Sequence, residues 1–154
     1  MQEVVVEADG NCFYEAVALW AKANPAYLEF WAKSNPAYHD LHAPGILTHQ
    51  KIRQLAADWL EINPDYITVC YARSGCLVNN NTNKACGFPI KTFVEKRTVI
   101  WPAFVKSVRR NEEYATSPVL HAVSAIFKCA VFAVVGYGDA RHNLMINETP
   151  KVCD

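Results

Sequence analysis

One cysteine of this 154-residue chain stands where a thiol can act as a nucleophile. Cys12 follows the turn-forming residues Asp9, Gly10 and Asn11, and it opens a segment, 12–22, whose apolar residues recur with helical spacing. The N–H groups at the start of a helix favour negative charge, which is the charge of a reacting thiolate. N–H groups of the turn can also point at a developing oxyanion. Cys12 is therefore the candidate nucleophile, and an inert buried cysteine is the alternative.

A thiol nucleophile of this kind works with a base, and histidine is a common one. His142 is the candidate among five histidines, because it follows the turn GYGDA and begins the segment HNLMIN, which predicts a strand over 142–147. His121 lies among apolar residues of a predicted helix, which favours a place in the core. The remaining three lie in loops or beside a helix start: His39, His42 and His49.

The elements that must position these residues are helices and a few short strands. Helices are predicted where apolar residues recur every three or four positions, and strands where apolar runs are short and continuous. The predicted strands cover 3–6, 129–135 and 142–147, and the predicted helices cover 12–22, 49–62, 101–110 and a segment that begins at 117. This order predicts an α/β (α+β) layer fold in a single domain, 1–154.

A direct duplication follows the first helix. The segment WAKANPAYLEF (20–30) is followed directly by WAKSNPAYHDL (31–41), in which Trp, Ala, Lys, Asn, Pro, Ala and Tyr recur at the same places. The Asn-Pro steps interrupt a continuous helix, so we predict a helical arm over 20–45. Either its aromatic residues pack back on the domain, or they form a binding surface for a partner. The aromatic residues at matched places are Trp20, Tyr27, Trp31 and Tyr38.

The composition is that of a globular protein and points to neither nucleic acid nor a membrane as partner. Hydrophobic residues make up 51% of the chain, charged residues 19%, and the formal net charge is zero. Surfaces that bind nucleic acid or anionic membranes need a basic excess, which the chain lacks. The first residues form no secretory signal, and the apolar runs are shorter than the ~18–20 residues of a membrane helix. We expect a cytoplasmic monomer.

The six cysteines show no paired framework, so reduced thiols are expected. Cys70, Cys76 and Cys86 fall in a predicted variable insert, 67–97. Five and nine residues separate them, whereas a usual zinc knuckle has two to four. We therefore expect no metal and no organic cofactor.

The segment ADGNCFYEAVA resembles the nucleophile motif of the ovarian-tumour (OTU) family of deubiquitinating cysteine proteases. The segment THQKIRQLAADWLEINPDYI looks like the next long helix of that family, and HNLMIN looks like its final, histidine-bearing strand. The resemblance implies the family's fold, a small central sheet flanked by helices. It also implies that Cys12 attacks the carbonyl of the C-terminal glycine of ubiquitin, with His142 as base. Asp9, Gly10 and Asn11 would then shape the oxyanion pocket.

The chain departs from the family after the histidine. The family usually has an aromatic residue next and an Asp or Asn two places on, whereas this chain has Asn143 and Leu144. The group that orients the imidazole is then Asp9, Asp139, Asn143 or Asn147, or it is absent and the site is a Cys–His dyad. Strand alternation places Asn143 and Asn147 on the face opposite His142, which favours Asp9.

Three functions follow from the resemblance. The first is hydrolysis of ubiquitin, polyubiquitin or a ubiquitin-like modifier. The second is a ubiquitin-binding module with little hydrolysis, because the usual polar residue after the histidine is missing. The third is a viral protease of the same fold that processes its own precursor. The small size and the unusual insert suggest a viral domain or a bacterial effector that acts in the host cytosol.

Overall fold

A computed structural model describes residues 5–7, 9–69, 87–133 and 144–146, and most of these are helical. The helices are α1 (Cys12–Ala23), α2 (Pro25–Ser34), α3 (His49–Ile62), α4 (Ile90–Glu95), α5 (Trp101–Val108) and α6 (Ser117–Phe127). A 3₁₀ helix, Pro36–His42, separates α2 from α3. The strands have three residues each: β1 (Ile67–Val69), β2 (Gly87–Pro89), β3 (Val131–Ala133) and β4 (Leu144–Ile146).

The predicted α/β fold with a central sheet flanked by helices is wrong for the described residues. Their strands form two separate antiparallel pairs, β1 with β2 and β3 with β4. Pairs of this length offer too little surface for helices to pack on as a layer. The helices pack on one another instead, with α3 in contact with α1, α5 and α6. The architecture is therefore a helical assembly with two small β ribbons.

Two strand predictions began too early or included residues that are not in a strand. Residues 5–7, from the end of the predicted first strand onwards, are not in a strand, and Val5 is exposed. In the predicted strand 129–135, residues 129 and 130 are not in a strand, and residues 131–133 form β3. Lys128, which directly precedes that run, takes a left-handed conformation, with φ +55°, and ends α6.

The helix predictions over 12–22, 49–62, 101–110 and from 117 are all confirmed, and α3 also has the predicted cap. The Thr48 side chain accepts a hydrogen bond from the N–H of Lys51 at 3.2 Å, which is the predicted start of α3. From there Ile52, Ala56 and Leu60 are fully buried. In α6 every residue from Pro118 to Phe127 is buried, so this helix forms the centre of the core. No helix among the described residues is long and apolar enough to span a membrane.

Three helices end at one short sequence, Trp-x-x-x-Asn-Pro-x-Tyr. Two copies are the duplication, at 20–27 and 31–38. The third, WLEINPDY at 59–66, keeps only the four named residues and so is not evident as a repeat. In each copy the Asn side chain donates to the carbonyl of the Trp four residues earlier, at 2.8, 2.6 and 2.8 Å. The Asn is the C-cap residue of its helix, and the Pro after it prevents the helix from continuing.

The Trp and Tyr rings of each copy also contact each other. The ring centroids are 5.5, 5.2 and 4.8 Å apart in the order of the chain. Each contact ties the segment after the Pro to the helix before it, which fixes the direction of the exit. The motif therefore ends a helix and fixes the direction of the next segment, with contacts that are all local in sequence.

The duplicated aromatic residues pack back onto the domain, which is the first of the two interpretations above. Trp31 is 2% exposed, and its Nε1 donates to the carbonyl of Ile126 at 2.7 Å. Tyr27 donates its hydroxyl proton to the carbonyl of Phe127. Trp20 and Tyr38 are half-buried against the same core. Trp31 in particular has no surface to offer a partner, so residues 20–38 do not form a projecting arm.

Candidate functional site

Cys12 is the first residue of α1, as predicted, and its thiol is half-buried. The cap residue before it, Asn11, makes no side-chain bond to the helix N–H groups. The N–H groups of Phe13 and Tyr14 in the first turn have no acceptor among the described residues. A negative charge beside Cys12 would therefore find free backbone donors at the start of the helix.

The turn before Cys12 is closed by Asp9. Its carboxylate Oδ1 accepts from the N–H of Asn11 at 2.9 Å, and its carbonyl accepts from the N–H of Cys12 at 3.2 Å. These two N–H groups are occupied, so the oxyanion donors in this conformation would be those of Phe13 and Tyr14 rather than that of Asn11. Asp9 acts here as the residue that shapes the turn, and its predicted contact with His142 falls outside the described residues.

Gly10 lies against the loop that joins α5 to α6. A Cβ atom built on Gly10 would lie 1.6 Å from the carbonyl oxygen of Glu112 and 1.9 Å from its carbonyl carbon. No side chain fits this space, because the obstacle is backbone. The structure therefore gives the absence of a side chain at Gly10 a packing role, which is to leave room for the backbone of Glu112.

Asn11 connects the turn to two distant parts of the chain. It is 5% exposed, and its Oδ1 accepts from Arg53 Nη2 at 2.8 Å and from the N–H of Glu112 at 3.2 Å. Glu112 has a φ of +63°, a left-handed conformation that points its N–H towards this acceptor. The Oδ1 atom of Asn11 thus fastens the turn to α3 and to the loop before α6.

Arg53, on α3, is the main anchor of this site. It is 1% exposed, and its Nη2 donates to the carbonyls of Gly10 and Glu113, both at 2.9 Å, as well as to Asn11. Its Nη1 donates to the carbonyl of Val108 at the end of α5, at 3.0 Å. One side chain therefore joins the turn Asp9–Cys12, α5 and the loop before α6.

The role of Arg53 was not predicted, although its sequence spacing contains a signal. Arg53 is followed four and seven residues later by Ala57 and Leu60, both fully buried. An arginine in line with apolar residues on a helix is expected to be buried and bonded to several acceptors. The spacing does not reveal which acceptors these are.

Tyr14 lies beneath the guanidinium group of Arg53, with the Cζ atom 4.1 Å from the centre of its ring. Its hydroxyl is buried and has no partner among the described residues. Burial raises the pKa of Tyr14 to about 12, against the lowering effect of the Arg53 charge. Tyr14 therefore remains a neutral phenol at physiological pH.

The predicted base and its neighbour, His142 and Asn143, lie outside the described residues. The pairing of Cys12 with His142 therefore stays a prediction, as do the alternative partners Asp139 and Asn147. The cysteines of the insert, Cys70, Cys76 and Cys86, also lie outside them. In the described segments, no group of three or more His, Cys, Asp or Glu residues is placed to hold a metal ion.

The other histidines are described. His121 is 8% exposed in α6, which confirms its prediction as a core residue, and burial lowers its pKa to about 4. His39 and His42 are exposed neighbours. His49 is half-buried at the start of α3, with Nδ1 3.9 Å from a carboxylate oxygen of Glu15 on α1.

The site thus consists of a half-buried thiol at a helix start, a closed turn and a buried arginine that holds the turn. Comparison of the chain with protein-family models, with curated proteins and with solved structures finds no match.

Proposed function

We propose that this chain is a cysteine isopeptidase that removes ubiquitin or a ubiquitin-like modifier from other proteins, with Cys12 as nucleophile and His142 as base. The observation that supports it most is the placement of Cys12 as the first residue of α1, directly after a turn that buried hydrogen bonds hold in place. A nucleophile needs such a fixed position, because misplacement by about 1 Å costs on the order of 10²-fold in rate.

The proposed reaction proceeds in two steps. His142 takes the proton of Cys12, and Sγ attacks the carbonyl carbon of the modifier's C-terminal glycine. The bond to the lysine nitrogen breaks, and His142 returns the proton to the departing amine. Water then hydrolyses the thioester and releases the modifier with a free carboxylate. The free N–H groups of Phe13 and Tyr14 are the donors nearest to Cys12 along the chain for the oxyanion.

The support for this proposal is local. It comes from Asp9–Cys12 and α1, where the resemblance to the OTU motif lies, and not from the fold, because the described residues lack the family's central sheet. A motif is evidence about a site and not about a whole domain. The proposed setting is the cytosol of a host cell, with ubiquitin or polyubiquitin as partner.

A ubiquitin probe with a C-terminal propargylamide tests the proposal, because it forms a covalent adduct with an active-site thiol. We expect one adduct in the wild type, none in Cys12→Ala and a greatly slowed reaction in His142→Ala. The matched control is Cys129→Ala, which removes a second half-buried thiol that the structure describes.

Two other results would contradict the proposal. Binding of ubiquitin in calorimetry without any adduct would favour the binding module. Adduct formation that persists in Cys12→Ala would assign the nucleophile to another cysteine. A panel of diubiquitin linkages incubated with the wild type and Cys12→Ala then identifies the preferred substrate.

A further inference from the structure

Within the part of the chain that the structure describes, the Arg53 side chain is a buried charge without a counter-ion. Its four acceptors are three backbone carbonyls and one amide oxygen, and no carboxylate lies within ion-pair distance among the described residues. Its Nε is also buried without a partner there. Burying a charge without a counter-ion is costly, and hydrogen bonds to uncharged oxygen atoms compensate for it only in part. What these hydrogen bonds hold in place therefore bears on the role of this arginine.

The distribution of its hydrogen bonds indicates a different role. Nη2 contacts the two residues that directly precede Cys12, through the carbonyl of Gly10 and the side chain of Asn11. Nη1 is bonded to the end of α5 and so fixes the guanidinium group itself. The guanidinium group is planar and rigid, so fixing one nitrogen fixes the other. The guanidinium group of Arg53 thus fixes the position of the turn relative to α3 and α5.

We infer that Arg53 is a positioning residue, which holds Gly10 and Asn11 so that Cys12 and the first-turn N–H groups of α1 stay in the reactive arrangement. This inference rests on the proposed function. It places Arg53 in no direct contact with the substrate, so its loss acts on the reaction step and not on binding of the modifier.

The test compares Arg53→Met and Arg53→Lys with Ile52→Ala. Ile52 is the preceding residue on α3, is fully buried and has no bond to the turn, so its truncation loosens the core without touching the site. Hydrolysis of a ubiquitin–rhodamine substrate gives kcat and KM, and thermal unfolding identifies a temperature at which each variant is folded.

We expect Arg53→Met to lower kcat on the order of 10²-fold, with KM within about 3-fold of the wild type. Arg53→Lys keeps the charge but not the planar fork, so its kcat should lie between that of Arg53→Met and that of the wild type. It should also remain folded if Arg53→Met does not. Ile52→Ala should keep kcat at a temperature where it is folded. A kcat in Arg53→Met and Arg53→Lys equal to that of Ile52→Ala would overturn the inference.

A second measurement does not depend on ubiquitin hydrolysis. Amide hydrogen exchange of a peptide that covers 9–14 should be faster in Arg53→Lys than in the wild type, and unchanged in Ile52→Ala. If the wild type hydrolyses no ubiquitin substrate, the proposed function fails, but faster exchange confined to this peptide still supports Arg53 as the group that positions the turn. Exchange equal to the wild type in both Arg53 variants would refute it.

Discussion

Asparagine side chains hold two regions of this molecule in place, in opposite ways. At the ends of α1, α2 and α3, each Asn bonds to a carbonyl four residues earlier in the chain. In the turn before Cys12, Asn11 bonds to Arg53, 42 residues away, and to Glu112, 101 residues away. The helix ends therefore form from local sequence alone, whereas the turn requires the folded core. Ordering the helix ends costs little chain entropy, because their contacts are local. Ordering the turn costs more, because its contacts close long loops.

The largest expected effect tests the core role of the duplicated segment. Trp31→Ala should lower the free energy of unfolding by about 4 kcal/mol, because it opens a cavity and leaves the carbonyl of Ile126 without its donor. Chemical denaturation measures this. Trp20→Ala is the matched control, since Trp20 holds the same place in the first copy but is only half-buried. Equal losses would contradict the difference between the two copies.

Acid should destabilise the protein through His121. Burial lowers its pKa to about 4 in the folded state, against about 6.5 when unfolded. Between these values the unfolded chain binds more protons, so stability is complete above pH 6.5 and falls by about 3 kcal/mol as the pH falls towards 4. Denaturation curves at pH 7 and pH 4 measure the loss. His121→Leu should remove this part of it, and an unchanged pH dependence would assign the loss to other groups.

Gly10→Ala should also cost about 3 kcal/mol, because the new Cβ meets the backbone of Glu112 and the turn must move. Gly45→Ala is the control. Gly45 has open space around its Cβ position but a φ of +82°, so Ala there should cost only about 1 kcal/mol. Thermal unfolding gives both values, and a tolerated Gly10→Ala would show that the turn is not held against the loop.

The smallest predicted losses of stability compare an asparagine of the turn, Asn11, with one at a helix end, Asn24. Asn11→Ala should cost about 2 kcal/mol, because Arg53 loses an acceptor and the N–H of Glu112 loses its partner. Asn24→Ala removes one exposed local bond and should cost about 1 kcal/mol or less. Only Asn11→Ala should change adduct formation at Cys12. A change in both variants would mean that the helix end also governs the site.

The sequence predicts what depends on neighbours along the chain. The start of α1 at Cys12 and the Thr48 cap of α3 are local features and were correct. The core position of His121 follows from its apolar neighbours and was correct as well. The sheet was wrong, because short apolar runs cannot be assigned to strand or helix without knowledge of what they pack against.

The candidate site was predictable only in part, for the same reason. The turn-forming residues before Cys12 identify it as the candidate nucleophile. The partners of that turn come from α3 and from the loop before α6, and no spacing rule connects Gly10 with Glu112 or Asn11 with Arg53. Pairs so far apart in sequence are set by packing, so their chemistry appears only with the fold.

The long sequence separation of the Arg53 bonds has a consequence for folding. Contacts within a few residues form early, whereas those between the turn and Glu112 must wait until α3, α5 and α6 have docked. We therefore expect Cys12 to gain its native environment at the last stage of folding, after the helix ends are complete. Under the proposed function, nascent or misfolded copies would then lack a competent nucleophile, and activity would be confined to fully folded molecules.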